Sequence, residues 1–254
     1  MPLIERIRMS KYEYEYDATF FDFVGVSSGK SATQFLIALD FGFDPNSVLD
    51  VGCGRGVWLS AWKKLGVKEV LGLDGTYINK SSLFIDAEEF IATDISQPIN
   101  LGKRFDLVQC LEVAEHLSSD ASDTLISNLV NHSNIVLFSS ASPGQGGEHH
   151  VNERPISYWA AKFKSAEYDA FDYPRSVVQR HKDIEPWYRF NTVMYANAEG
   201  QLRLSKAVKE TFVPNVDAFR DYAPLWWQLR CRTIQILPYG LVNYLARIKH
   251  RIMT

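Results

Sequence analysis

The sequence predicts an α/β fold built on a doubly wound, largely parallel sheet, and three observations carry that expectation. Short, continuously apolar runs alternate with helical patterns through the middle of the chain, which is how strands covered on both faces read. A glycine-rich turn, GCGRG at 52–56, leaves the first of those runs and opens a helix. Such turns belong at the carboxyl edge of a parallel sheet, where ligands approach bare backbone. Strand–helix–strand repeats of this kind also demand right-handed crossovers, and these place helices on both faces.

The elements follow in order. KYEYEYDATFFDF (11–23) is rich in aromatics, Tyr12, Tyr14, Tyr16, Phe20, Phe21 and Phe23; Tyr12, Tyr14 and Tyr16 are expected to cover a core edge or, alternatively, to hold the acceptor. SGKSATQFLIALDFGF (28–43) reads as a helix ahead of the core. SVLDVG (47–52) is the first strand, VWLSAWKKLG (57–66) a helix closed by Gly66, and VKEVLGLD (67–74) the second strand. EEFIATDI (88–95) and RFDLVQCLE (104–112) are the third and fourth strands, DTLISNLVNHS (123–133) a helix and NIVLFSS (134–140) the fifth strand. PISYWAAKF (155–163) reads as a further helix and PWYRFNTVMYAN (186–197) as a late strand rich in aromatic and β-branched residues. From about Phe212 the pattern dissolves into a tail.

A chain of 254 residues, 46% hydrophobic and 22% charged, can bury a sizeable core. The organisation expected is an N-terminal cap over 1–45, a ligand-binding core over 46–200 and a C-terminal helical appendage over 201–254. A net charge of −3 exerts no global pull on nucleic acid, so no nucleic-acid partner is expected. Cys53, Cys110 and Cys231 lie far apart without a CxxC pair, which favours a reducing compartment over a structural zinc site. Neither a signal-peptide h-region nor an apolar run of spanning length is present, so a cytoplasmic location is expected. The tail PLWWQLRCRTIQILPYGLVNYLARIKHRIMT (224–254) is basic and carries no acidic residue. It suits either a helical appendage that packs on the fold or makes a dimer, or a basic amphipathic element lying on a membrane surface or on a partner.

The first turn spaces its glycines GxGxG, with Val57 where a dinucleotide loop places its third glycine, and this departs from nicotinamide and flavin sites. Asp74 closes the second strand, 24 residues after Asp50, where a carboxylate accepts both hydroxyls of a ribose; a surface Asp is the alternative. Asp94, near the tip of the third strand, either reads an adenine amine with the Ile95 N–H beside it or caps a helix. No complete GxxxxGK[ST] phosphate loop is present. Together these features describe a site for an adenosine carrying a zwitterionic tail.

VLDVGCGRG, GLDG, ATDI and FDLVQCLEVAEHL, in this order and spacing over roughly residues 30–195, resemble the class I S-adenosylmethionine-dependent methyltransferases. The resemblance implies a Rossmann-like, mostly parallel seven-stranded sheet with an N-terminal helical cover and a C-terminal helical tail. It implies that Asp50, Gly52, Cys53 and Gly54 flank the methionine moiety of S-adenosylmethionine and that Asp74 holds the ribose. Gly75 and Thr76 then line the adenine, Asp94 and Ile95 read its edge, and Leu111 and Glu112 close the site.

Two polar segments bear on the acceptor, EVAEH (112–116) and EHHVNE (148–153). A hydroxyl acceptor must lose a proton, to a general base or to a metal-bound oxygen. The EVAEH stretch is similar to one in quinone-biosynthesis and small-RNA methyltransferases that holds magnesium, a set that Glu112, Glu115, His116 and His149 or His150 would reproduce. The other readings are a metal-free base, His116 or His150, with Glu115 in the same catalytic set, and packing or acceptor binding alone. GGEHHVNERPISYW is similar to a bacterial branch sometimes associated with sugar or surface-polysaccharide genes. Asn152, Glu153, Arg154 and Trp159 would then bind sugar hydroxyls and a ring face, or simply form a capped connection. The expected activity is methylation of a small-molecule or saccharide hydroxyl. The alternatives are N-methylation of a small amine and a non-catalytic cofactor-binding subunit docking through its tail.

Overall fold

The computed structural model describes residues 18–253. The expectation for Tyr12, Tyr14 and Tyr16 lies outside the described residues, as do the side chains of Phe20, Phe21 and Phe23. The chain runs α1 (Ala18–Ala38), β1 (Ser47–Val51), α2 (Val57–Lys64), β2 (Glu69–Asp74), β3 (Phe90–Ala92), β4 (Leu107–Leu111), α3 (Ser122–His132) and β5 (Ile135–Ser139). There follow α4 (Ile156–Ser165), β6 (Asp169–Phe171), α5 (Tyr173–Val178), α6 (Pro186–Asn191), β7 (Val193–Ala196), α7 (Ala198–Arg203) and α8 (Lys206–Lys209). β8 (Phe212–Val213), α9 (Leu225–Gln235) and α10 (Tyr239–Met253) complete the described chain.

One eight-stranded sheet, ordered β3-β2-β1-β4-β5-β7-β6-β8, organises the molecule. β1 to β5 pair in parallel, while β7 runs antiparallel to β5 and β6, and β8 antiparallel to β6. The sheet is therefore doubly wound and mostly parallel as expected, with one strand more than the seven anticipated. Of the eight, β6 and β8 have no counterpart among the strands read from the sequence, and β8 is a two-residue edge from the region where the pattern dissolves. Residues 201–254 thus add to the core sheet as well as forming helices. PWYRFN is a helix rather than the start of a strand: Pro186 occupies its first turn, where a fixed φ and a missing N–H cost nothing.

Both sheet faces are buried. One face packs Phe35 of α1 and Trp58 and Trp62 of α2 over β1 and β4; the other packs Leu125 and Leu129 of α3 and Trp159 and Phe163 of α4 over β4, β5 and β7. Phe163 stacks on Tyr195 of β7 with ring centroids 3.8 Å apart. Trp159 lies 2% exposed against Phe138, so the expectation that it offers a sugar a ring face is corrected. Every side chain of β4 and β5 is buried, and the polar groups that matter therefore emerge where these strands end.

Candidate active site

The strand order reverses between β1 and β4, the place where an open α/β sheet receives its ligand. Gly52, Gly54 and Gly56 take φ of 84°, 54° and 79°, backbone that a side chain adopts only with strain. A Cβ on Gly52 would lie 2.4 Å from Val113, so the turn also depends on bare backbone to pack. The amides of Gly52 and Cys53 donate to the Leu73 carbonyl at 2.7 and 3.1 Å, tying the turn to β2.

Asp74 is the hub. Its Oδ2 accepts the Gly54 amide at 2.6 Å, and its Oδ1 accepts the Gly75 amide at 2.7 Å and the Tyr77 hydroxyl at 2.5 Å. Burial raises its pKa against the pull of these donors. Asp50, 3% exposed on β1, is pushed up to about 7 by burial, with the Gln109 side chain opposing and Asp74 adding. Cys53 is buried, and burial holds its thiol far above the usual range. Thr76 is exposed, and Asp94 is exposed beyond the end of β3, its Oδ1 accepting from the Ser96 amide and hydroxyl at 2.9 and 2.6 Å. Ile95 is buried, with its carbonyl accepting from Asn128 at 3.3 Å. The structure thus joins Asp50, Gly52, Cys53, Gly54, Asp74 and Gly75 around one turn and sets Asp94 at the rim.

Across the reversal, Leu111 ends β4 and Glu112 follows with φ 57°, a left-handed conformation costly for a residue with a side chain. Its amide donates to the Ser139 carbonyl at 3.0 Å. Its carboxylate accepts Gln145 Nε2 at 2.7 Å and Asn191 Nδ2 at 3.2 Å, and Asn191 Nδ2 also donates to Gln145 Oε1 at 2.7 Å. Sequence reasoning missed Tyr77, Gln145 and Asn191. The signal for Gln145 was its place within PGQGG; Asn191 was hidden by the misread helix.

Glu115, His116 and His150 meet, with one ligand-type atom from each lying within 4.8 Å of the others. Glu115 is fully buried, and neither carboxylate oxygen accepts a full hydrogen bond. Burial first, and then the Glu112 charge, raise its pKa far above the carboxylate range; Ala141 and Ser140 alongside offset this only in part. Burial and the neighbouring His150 keep His116 neutral. The two imidazoles cross edge-to-face at 4.9 Å. His150 Nδ1 lies 2.9 Å from Glu153 Oε1, and the bare backbone of Gly147 leaves the room its ring fills. Glu153 also accepts the Gly144 and Gly146 amides, each at 2.7 Å, fastening the loop before it. Glu112 and His149 are not among the three: the Glu112 carboxylate is engaged by Gln145 and Asn191, and the cluster of ligand atoms comprises Glu115, His116 and His150. Asn152 is buried and bonds Ala114 and Ser122, while Arg154 bonds Asn152.

The model of the methyltransferase-domain family matches residues 30–187. The chain belongs to that family, with the fold of a class I S-adenosylmethionine-dependent methyltransferase. No curated protein matches the chain. Among solved structures, DesVI from Streptomyces venezuelae aligns at a TM-score of 0.53 and 14% identity, covering 73% of this chain and 100% of that one. An O-methyltransferase family protein from Burkholderia thailandensis aligns at 0.52 and 10% identity, over 70% of this chain and 58% of that one. CalO1, a methyltransferase in calicheamicin biosynthesis with S-adenosylhomocysteine bound, aligns at 0.50 and 14% identity, over 70% and 56%. The chain therefore spans little more than half the length of the last two proteins.

Proposed function

We propose that the chain transfers a methyl group from S-adenosylmethionine to a hydroxyl of a small molecule or saccharide in a reducing, cytoplasmic setting. What supports the donor is chemical fit. The glycine turn presents bare backbone, and two buried carboxylates, Asp50 and Asp74, have pKa values that burial raises, so a cationic ligand beside them is strongly favoured over a neutral one. When bound, the cofactor supplies an electrophilic methyl on a sulfonium. The protein's own part is to hold the ribose on Asp74 and the cationic tail near Asp50, and to exclude water.

The observation that carries the hydroxyl acceptor is the His150–Glu153 pair beside neutral His116. A histidine whose Nδ1 is held by a carboxylate presents Nε2 as a proton acceptor, and the carboxylate steadies the imidazolium that forms. On this reading the acceptor proton moves to His150 Nε2 as the oxygen takes the methyl group. Glu115, buried and protonated, shapes the pocket. The experiment is a screen of hydroxylated acceptors with labelled cofactor, followed by His150→Ala. A fall in kcat of about a hundredfold or more is expected. Unchanged turnover would transfer the reading to an amine acceptor, which needs no strong base.

A second reading rests on the two unpartnered Glu115 oxygens. Glu115, His116 and His150 would hold a divalent cation, which would acidify an acceptor hydroxyl. Two imidazoles and one carboxylate suit zinc, manganese or iron better than magnesium, which prefers oxygen ligands. Full activity after chelation would reject this reading and leave His150 as a metal-free base.

A further inference from the structure

Among the described residues, α9 turns one side to the molecule and the other to solvent. On α9, Trp227 packs against Phe190 with ring centroids 6.0 Å apart. Arg230 donates to the Gln145 carbonyl at 2.8 Å and Gln235 to the Pro143 carbonyl at 2.7 Å. The opposite side of α9 carries Leu225, Trp226 and Leu229, and Ile236 follows at its C-terminal end; they are 76%, 56%, 60% and 81% exposed, at the spacing of a helical stripe. α10 adds Leu241, Tyr244 and Leu245, all exposed. Residues 224–254 hold five Lys and Arg and no Asp or Glu, in a chain of net charge −3.

We propose that α9 and α10 dock this face onto an anionic lipid surface. Soluble monomers rarely leave so many large apolar side chains exposed along one element, and such patches mark contact sites. Trp and Tyr with flanking cations and no anion describe an interfacial amphipathic element. Each basic side chain near an acidic bilayer contributes on the order of 1 kcal/mol. No described helix is long and apolar enough to cross a membrane, so the element lies on the surface. A second copy of the chain fits the face less well, because a two-fold contact would bring together two copies of a segment that holds five cations and no acid. Since the inner side of α9 holds the Pro143–Gln145 loop, docking places the acceptor side of the molecule at the bilayer.

The test uses the full chain and sedimentation with phosphatidylcholine vesicles with and without phosphatidylglycerol. Binding is expected only to the acidic vesicles, weakening as salt rises, with a blue shift in tryptophan emission. The double substitution Leu229→Gln/Ile236→Gln touches only exposed positions. It is expected to reduce vesicle partitioning by at least about tenfold, with circular dichroism and cofactor affinity unchanged. Absence of binding to both vesicle types overturns the proposal. So does a stable dimer in sedimentation velocity that the double substitution dissociates, since the face would then be a self-interface. Vesicle binding requires no turnover, so this outcome is independent of the methyl-transfer reading.

Discussion

Asp74 spends its carboxylate on two backbone amides and the Tyr77 hydroxyl, and Tyr77 is the only one of the three that a side-chain substitution removes cleanly. A ribose diol seeking the same oxygens must displace it. Tyr77→Phe keeps the ring that lies against Gly75 and deletes the competing hydroxyl. A neutral hydrogen bond nets about 1 kcal/mol, so cofactor affinity should rise roughly threefold to tenfold by calorimetry. Asp74→Ala should instead weaken binding by at least about tenfold, because a charge-assisted contact contributes more. Equal affinity of Tyr77→Phe and the unsubstituted chain would mean that the diol does not compete for Oδ1. The glycine turn and Asp74 were legible in the sequence because their chemistry depends on local spacing. Tyr77 was not, because an aromatic three residues past a strand end has no pattern that marks it as a hydroxyl donor.

At the scale of elements, the strands were legible because β1, β2, β4 and β5 are short apolar runs bounded by glycine or polar residues, and the parallel order followed from the helices between them. The misreadings share one cause. PWYRFN carries β-forming residues, yet Pro186 begins a helix whose inner residues Tyr188 and Phe190 are buried by tertiary packing, and packing overrides weak local propensity. β8 was illegible for the same reason: two residues acquire strand geometry only because β6 offers an edge. Asn191 was lost with that helix, and its role at Glu112 went with it. The loop beneath α9 shows how closely such elements are fitted. Gly144 has φ 79°, and a Cβ there would lie 2.2 Å from the Cys231 backbone carbonyl. Gly144→Ala should therefore push α9 off the loop and cost about 2–4 kcal/mol. A lowered Tm and faster proteolysis within residues 224–254 are the expected readouts; an unchanged Tm would mean that α9 does not pack on this loop.

For the whole molecule, the accumulation of buried acids at one sheet edge sets how stability responds to pH. Burial raises Asp50 to about 7, and Glu115 is raised far above its ordinary value. In the unfolded chain both lose their protons near pH 4. Between there and the folded pKa the native state binds more protons than the unfolded state, so stability falls as pH rises. His116 opposes this at the acid end: burial lowers its pKa, and the unfolded chain takes up the proton below about pH 6.5. Above that point the histidine contributes no slope and the carboxylates act alone. The cofactor-free chain should therefore lose stability from pH 6.5 to 8, by about 1 kcal/mol through Asp50 and further through Glu115. Asp50→Asn should flatten the slope by the Asp50 share in denaturant titrations at the two pH values. A bound cation favours the ionised carboxylates, so the stabilisation conferred by S-adenosylmethionine should grow over the same interval. A cofactor-free chain whose stability stays constant or rises from pH 6.5 to 8 would show that Asp50 is not held protonated, and the electrostatic basis for cation recognition at this edge would fall with it.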